Sequence, residues 1–394
     1  MAATTGASIQ TFLDHPFFNR TFILPPNPLT GRTTPFKASY CDYGYHNPSD
    51  PSRERVLLHF GPLMATRLLH VAKHFVAARH HIRIIDIDRP GFGGTDAIPT
   101  AERMAIWREV VPALLTSLSI AHLSAITAHS GGTVYAVDFL LSHPSFLLPT
   151  TSTTPTLLAL GAPWILPSRS SATAAWLTQQ LPSPVLRQAD AARILVERYV
   201  DPVVGVSTGF SGAIGRSMRV ISGSLGSVAA APAPSTDEEM APLDAEGGEW
   251  SAARQFELRV ISGLGEKISK EGAKGLGEEA VVLMYKEGAG GWGDWGDYDV
   301  AVPRVVEGLR AAGRRLEVRV FWAEKDMMVG DAGTKGPRWF AGCWRGGWDE
   351  VLEYGETAVE GADHDTIWDL HRRSAREVYG RVGWVGEEGE EGGS

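Results

Sequence analysis

One stretch constrains this chain more than any other: Leu123-Ser-Ala-Ile-Thr-Ala-His-Ser130-Gly-Gly-Thr-Val-Tyr-Ala-Val-Asp-Phe-Leu140. Leu123 to Thr127 is a short apolar run that predicts a buried strand, and apolar residues at 134, 137, 140 and 141 resume at helical spacing. Between them, Ala128-His129-Ser130-Gly131-Gly132 sets small residues on both sides of a serine. A strand that turns into a helix this sharply leaves no room for side chains at 128 and 132, and it lifts the serine above the sheet edge. The N–H of Gly131, at the start of the helix, then faces the same space and favours an anionic oxygen there.

The flanking sequence repeats the rhythm. Phe22-Ile-Leu and Phe36–Tyr45 read as strands joined by a Pro/Gly loop, the second alternating as an antiparallel edge does. Val56-Leu-Leu-His59 is a short buried strand, followed by a predicted helix over about 64–78 and a strand over Ile82–Asp88. A helix from Ala101 to about Leu118 leads into the Ser130 strand, and Leu157–Gly161 is the next one. Strand alternating with helix indicates an α/β chain with a mostly parallel sheet covered on both faces. In such sheets chemistry collects at the carboxyl ends of strands, where His59, Asp88, Ser130 and Gly161 all fall.

Beyond Trp164 the rhythm stops. It returns at Leu316–Trp322 and Thr357–Val359, and a helix from about Thr366 to Tyr379 closes the chain. Residues 20–164 and 313–380 are therefore expected to form the core, with 165–312 a largely helical cap inserted after the sixth strand. Helical segments are expected at 173–181 and 189–199, and a solvated loop near 221–250, rich in Ser, Ala, Pro, Gly and acidic residues. Residues 1–19 and the acidic tail 381–394 are expected to be flexible.

Composition narrows the function. A net charge of −9 over 394 residues offers no phosphate-neutralising patch and argues against a nucleic-acid partner. Two distant cysteines, Cys41 and Cys343, make neither a disulfide framework nor a cysteine zinc site, and they suit a reducing compartment. The first residues lack a basic and apolar leader pattern, and no run approaches 18 apolar residues, so a soluble, cytoplasmic protein is expected. The Gly91-Phe-Gly-Gly94 run lacks full dinucleotide-loop spacing and reads as a turn needing positive φ. Neither a Walker A motif nor H-E-x-x-H occurs, and no metal or organic cofactor is expected.

A serine needs a base to take its proton, and the base needs a third group to fix its tautomer. After Leu316–Trp322 comes Asp326, with Glu324 and Asp331 as rivals; after Thr357–Val359 comes His364, flanked by Asp363 and Asp365. The order Ser130, Asp326, His364 is the order of an α/β-hydrolase.

The chain resembles that superfamily across both core segments. His59-Phe-Gly-Pro62 resembles its oxyanion segment, Asp88-Arg-Pro-Gly-Phe-Gly-Gly94 its D-x-P-G-x-G turn, and Ala128-His-Ser-Gly-Gly132 its nucleophile elbow. Ala128 and Phe60 stand where the family usually has Gly. The resemblance implies an α/β-hydrolase fold and a serine hydrolase acting on an ester, thioester or lactone of a small to medium apolar molecule. Ser130 would be the nucleophile, His364 the base and Asp326 the acid. Gly131 and Gly61 would supply oxyanion N–H groups, with Leu63 the alternative to Gly61 because Pro62 has no N–H. His59 and His129 are candidate substrate contacts or hydrogen-bonded structural histidines. Trp292 and Trp295 are candidate substrate walls, if the cap closes over Ser130. C–C or amide hydrolysis on the same residues, or a binding protein on the same scaffold, are the rival readings; an epoxide hydrolase would need an Asp at position 130.

Overall fold

Eight strands form one sheet in a computed structural model that describes residues 9–383, apart from 64, 171–178, 188–247, 286–296 and 349. They are β1 (Arg20–Leu24), β2 (Phe36–Gly44), β3 (Arg55–Phe60), β4 (Ile82–Ile87), β5 (Ala125–His129), β6 (Thr156–Gly161), β7 (Leu316–Lys325) and β8 (Leu352–Asp363). Their order is β1-β2-β4-β3-β5-β6-β7-β8. β1 and β2 are antiparallel to their neighbours, and every pairing from β4 through β8 is parallel.

Alternation along the strands builds two cores. Leu58, Ile126, Leu158, Leu160, Val318 and Val320 face one side; there they meet α2 (Thr100–Ser117), α3 (Gly132–Ser142), α6 (Tyr298–Ala312) and α7 (Lys335–Trp344). Leu57, Ile84, Ala125, Leu157, Ala159 and Phe321 face the other side; they meet α1 (His74–Arg79), α4 (Gly248–Glu271) and α8 (Arg373–Val382). α5 (Leu276–Leu283) lies at the carboxyl edge, where Leu283 packs on Gly131 and Gly275 on Gly91. This is the expected α/β architecture. No helix among the described residues is long and apolar enough to cross a membrane.

Several local expectations are corrected. Residues 9–18 are tied down: Leu13 and Phe18 are buried, and Phe12 meets Phe256 at 5.0 Å. An apolar cluster in so short a segment has a partner helix to dock on, which the local sequence does not display. The helix expected from about 64 begins only at His74, after a 3-10 turn over Val71–Lys73. The last helix begins at Arg373, because Asp363 Oδ1 accepts from the Thr366 and Asp365 N–H groups and shapes a turn instead.

The stretch 165–312 is not all one covering insertion. α4 docks Val260, Leu264 and Ile268 on the second core, and α6 buries Val302, Val305 and Leu309 in the first. Parallel β6 and β7 require a crossover helix between them, and α6 is that helix. Of the 221–250 loop, 248–250 already belong to α4. The rest of it, and most of the segments expected to be helical at 173–181 and 189–199, lie outside the described residues.

Candidate active site

β5 ends at His129 and α3 begins at Gly132, leaving two residues for the change of direction. Ser130 absorbs the turn with φ +50°, a left-handed conformation that non-glycine residues adopt only under constraint. The constraint is visible. Ser130 N–H donates to the Gly161 carbonyl at 3.0 Å, and its own carbonyl accepts from Trp164 N–H at 3.1 Å and Thr133 N–H at 2.9 Å. A β-carbon on Gly132 would run into the carbonyl oxygen of Phe60, so only glycine lets the helix start this close to the end of β3. A β-carbon on Gly131 would lie 2.7 Å from Leu283 Cδ1, which puts α5 directly over the turn.

The ends of β7 and β8 bring the other two candidates to this point. His364 Nε2 lies 2.8 Å from Ser130 Oγ, and His364 Nδ1 lies 2.8 Å from Asp326 Oδ2. Asp326 is buried, and its other oxygen accepts from the Met328 and Val329 N–H groups at 2.9 and 3.0 Å, which fixes the carboxylate plane. Glu324 instead accepts from Gly361 N–H, and Asp331 from Asp326 N–H, so neither rival touches the imidazole. Burial alone would lower the pKa of His364, but the Asp326 carboxylate and its hydrogen bond, with Asp365 and Asp363 nearby, raise it to about 9. The arrangement can pass a proton from a hydroxyl to an imidazole and stabilise the resulting positive charge.

His59 and His129 are both buried. Both share the strand face of Leu57 and Ala125, where the second core lies. His59 Nδ1 is 2.8 Å from Thr127 Oγ1, and its ring packs on His70 at 4.6 Å. Burial, with Lys73 close by, keeps its pKa well below the usual range. His129 Nε2 donates to the carbonyl of His364 at 2.7 Å; a carbonyl only accepts, so the proton is on Nε2. Burial and His364 lower the pKa of His129 to about 3, so it stays neutral. Trp368 Nε1–H adds a second tie, to the Ala128 carbonyl at 3.3 Å. Trp292 and Trp295 lie outside the described residues.

Residues without a sequence motif complete the surroundings. Glu279 of α5 is fully buried and meets Arg103 Nη2 at 2.6 Å, Tyr135 Oη at 2.6 Å and Arg89 Nε at 3.4 Å. Burial opposes its charge, yet Arg89 and Arg103 hold its pKa below the ordinary value. The one sequence signal for it was an acid set directly before the apolar run Ala280–Leu283, since a buried acid needs cationic partners.

No protein-family model matches the chain, and no curated protein matches it. Solved structures do. A thermophilic esterase from Thermogutta terrifontis is 13% identical, with 93% of this chain and 100% of that chain covered at a TM-score of 0.50. An enol-lactonase from Burkholderia xenovorans LB400 is 12% identical, with 92% and 98% covered at 0.49. The epoxide hydrolase VrEH1 from Vigna radiata is 12% identical, with 93% and 97% covered at 0.49. At such identity, likeness extends to the path of the chain and no further.

Proposed function

The chain has the α/β-hydrolase fold, and on that scaffold we propose a serine hydrolase that cleaves an ester, thioester or lactone of a small to medium apolar molecule. The observation that carries this reading is the relay of two 2.8 Å contacts, Asp326 to His364 and His364 to Ser130, meeting at a serine with positive φ.

Ser130 Oγ attacks the acyl carbon while His364 Nε2 takes its proton, and Asp326 holds the charged imidazolium. The N–H of Gly131 lies in the first turn of α3, where no intrahelical acceptor exists, and with Gly61 it binds the tetrahedral oxyanion. The intermediate collapses, the leaving alcohol or thiol takes the proton from His364, and the acyl group stays on Ser130. Water then attacks the acyl-enzyme with His364 as base, which frees the acid and restores Ser130. A covering segment that contains α5 encloses the acyl side, with Leu283 nearest to Gly131. We also read the enzyme as cytoplasmic, since the unpaired Cys41 and Cys343 suit a reducing compartment.

The test is a panel of p-nitrophenyl esters of graded chain length beside a fluorophosphonate probe. Ser130→Ala should abolish labelling and reduce turnover by at least about 10³. Labelling that persists in Ser130→Ala would remove the nucleophile assignment.

A further inference from the structure

We propose that Arg89 is the positioning residue of the oxyanion segment, and that Glu279 of α5 fixes Arg89, so that the covering helix and the oxyanion donors form one unit. The inference rests on the serine-hydrolase reading above.

Arg89 follows β4, beside the end of β3, and is 5% exposed. Its guanidinium is a rigid plane with donors on three nitrogens. Nη1 donates to the Gly61 carbonyl at 3.0 Å and Nη2 to the Pro62 carbonyl, while Nε lies 3.4 Å from Glu279 Oε1. Two successive carbonyls held by one plane leave the 61–63 backbone little freedom to rotate. A trans peptide points its N–H opposite to its C=O, so holding the Pro62 carbonyl turns the Leu63 N–H away from Arg89. The Gly61 N–H belongs to the Phe60–Gly61 peptide, whose carbonyl lies close to Gly132, and Arg89 acts on it from the other side of the Gly61 α-carbon, through the Gly61 carbonyl. Both candidate donors, Gly61 and Leu63, therefore take their directions from groups outside their own segment.

Glu279 faces Arg89 in turn as its ion-pair partner, with Oε1 3.4 Å from Nε. Its carboxylate is itself held from three sides, by Arg103, Tyr135 and Arg89. Its neighbour Glu278 accepts from Thr100 N–H at 3.1 Å, at the start of α2, and so anchors α5 at a second point. A third is Trp164 Nε1–H, which donates to the Leu283 carbonyl at 3.0 Å. Helix α5 is thus latched to the core through the same guanidinium that orients the oxyanion segment.

The test uses the full chain with p-nitrophenyl acetate as substrate and phenylboronic acid as tetrahedral mimic. Glu279→Gln keeps the shape and removes the charge that holds Nε. We expect kcat to fall by about 10–100-fold with KM moving less than about threefold, because oxyanion contacts form only in the transition state. Inhibition by phenylboronic acid should weaken in step with kcat/KM. Arg89→Lys, which keeps the charge opposite Glu279 but reaches one carbonyl at most, should act in the same direction, and it carries the test if Glu279→Gln does not fold. A folded variant with wild-type kcat, or with KM and kcat shifted while phenylboronic acid binds as before, would overturn the inference. A wild-type protein that neither labels with fluorophosphonate nor turns over esters would instead overturn the underlying reading.

Discussion

At the scale of single residues, the pairing of His364 with Asp326 has a consequence for pH. On the mechanism proposed above only the neutral imidazole can accept the proton of Ser130, and against burial the Asp326 carboxylate raises the His364 pKa from 6.5 to about 9. kcat/KM should therefore rise with pH along a limb whose midpoint lies above the usual histidine range. In Asp326→Asn the carboxylate no longer opposes burial, so the limb should move to lower pH while activity drops on the order of 10⁴-fold. An unmoved limb in the variant would separate Asp326 from the base. His129 makes a different point. Its neighbour in sequence is Ser130, which invites a substrate role, but strand alternation sends its side chain to the opposite core. There it ties the His364 backbone to β5 at 2.7 Å. His129→Leu should leave that carbonyl unsatisfied and cost about 1–3 kcal/mol in thermal or urea unfolding, with His129→Gln, which keeps an N–H, losing less. That Ser130, Asp326 and His364 would meet was legible because each follows the end of a strand, in that order. The fates of His59 and His129 required the parity of β3 and β5, which a one-residue uncertainty in strand register erases.

At the scale of elements, what the sequence hid was where helices dock. Residues 9–18 read as loose because the helix that Phe12 and Leu13 meet, α4, lies more than 200 positions along the chain. The same blindness assigned α4 to a cap. Its stripe of Val260, Leu264 and Ile268 shows that one face is buried without saying against what. Two ion pairs decide the matter in the folded chain: Lys73 with Glu257 at 3.3 Å, which is buried, and Arg254 with Asp369 at 2.9 Å, which is half-buried. Phe18 is 1% exposed and packs on Tyr43 at 5.6 Å. Phe18→Ala should therefore destabilise by about 3–5 kcal/mol, as deletion of a buried aromatic does, while a truly loose leader would tolerate it. Denaturant unfolding measures the difference directly. The turn at Gly91–Gly94 shows the opposite case. Its geometry was legible because Gly91 at φ +80° and Gly93 at φ +53° need a residue without a β-carbon, and that demand is written in the residue type itself.

At the scale of the whole molecule, the excursion between β6 and β7 both completes the core and extends beyond it. Residue 165 follows shortly after β6, and residue 312 closes α6, the helix that brings the chain back to β7. Removing 165–312 would leave parallel β6 and β7 with no crossover and would strip the first core of Val302, Val305, Val306 and Leu309. It would also strip the second core of α4, the partner of Leu13 and Phe12. The excised chain should have no cooperative thermal transition. Deleting only 225–247 should behave differently, because that stretch has few large apolar residues to contribute to a core. It should lower the melting temperature by less than about 5 °C, and leave fluorophosphonate labelling of Ser130 intact. The pair of deletions separates two ideas of the excursion. If it were a detachable cover, the larger deletion would leave a folded, labelled core that merely accepts more substrates. If α4 and α6 are structural parts of that core, only the smaller deletion survives. Circular dichroism melts of both deletion variants, read beside the labelling, distinguish these outcomes, and a cooperative melt in the larger deletion would mean that neither α4 nor α6 is needed to hold the sheet together.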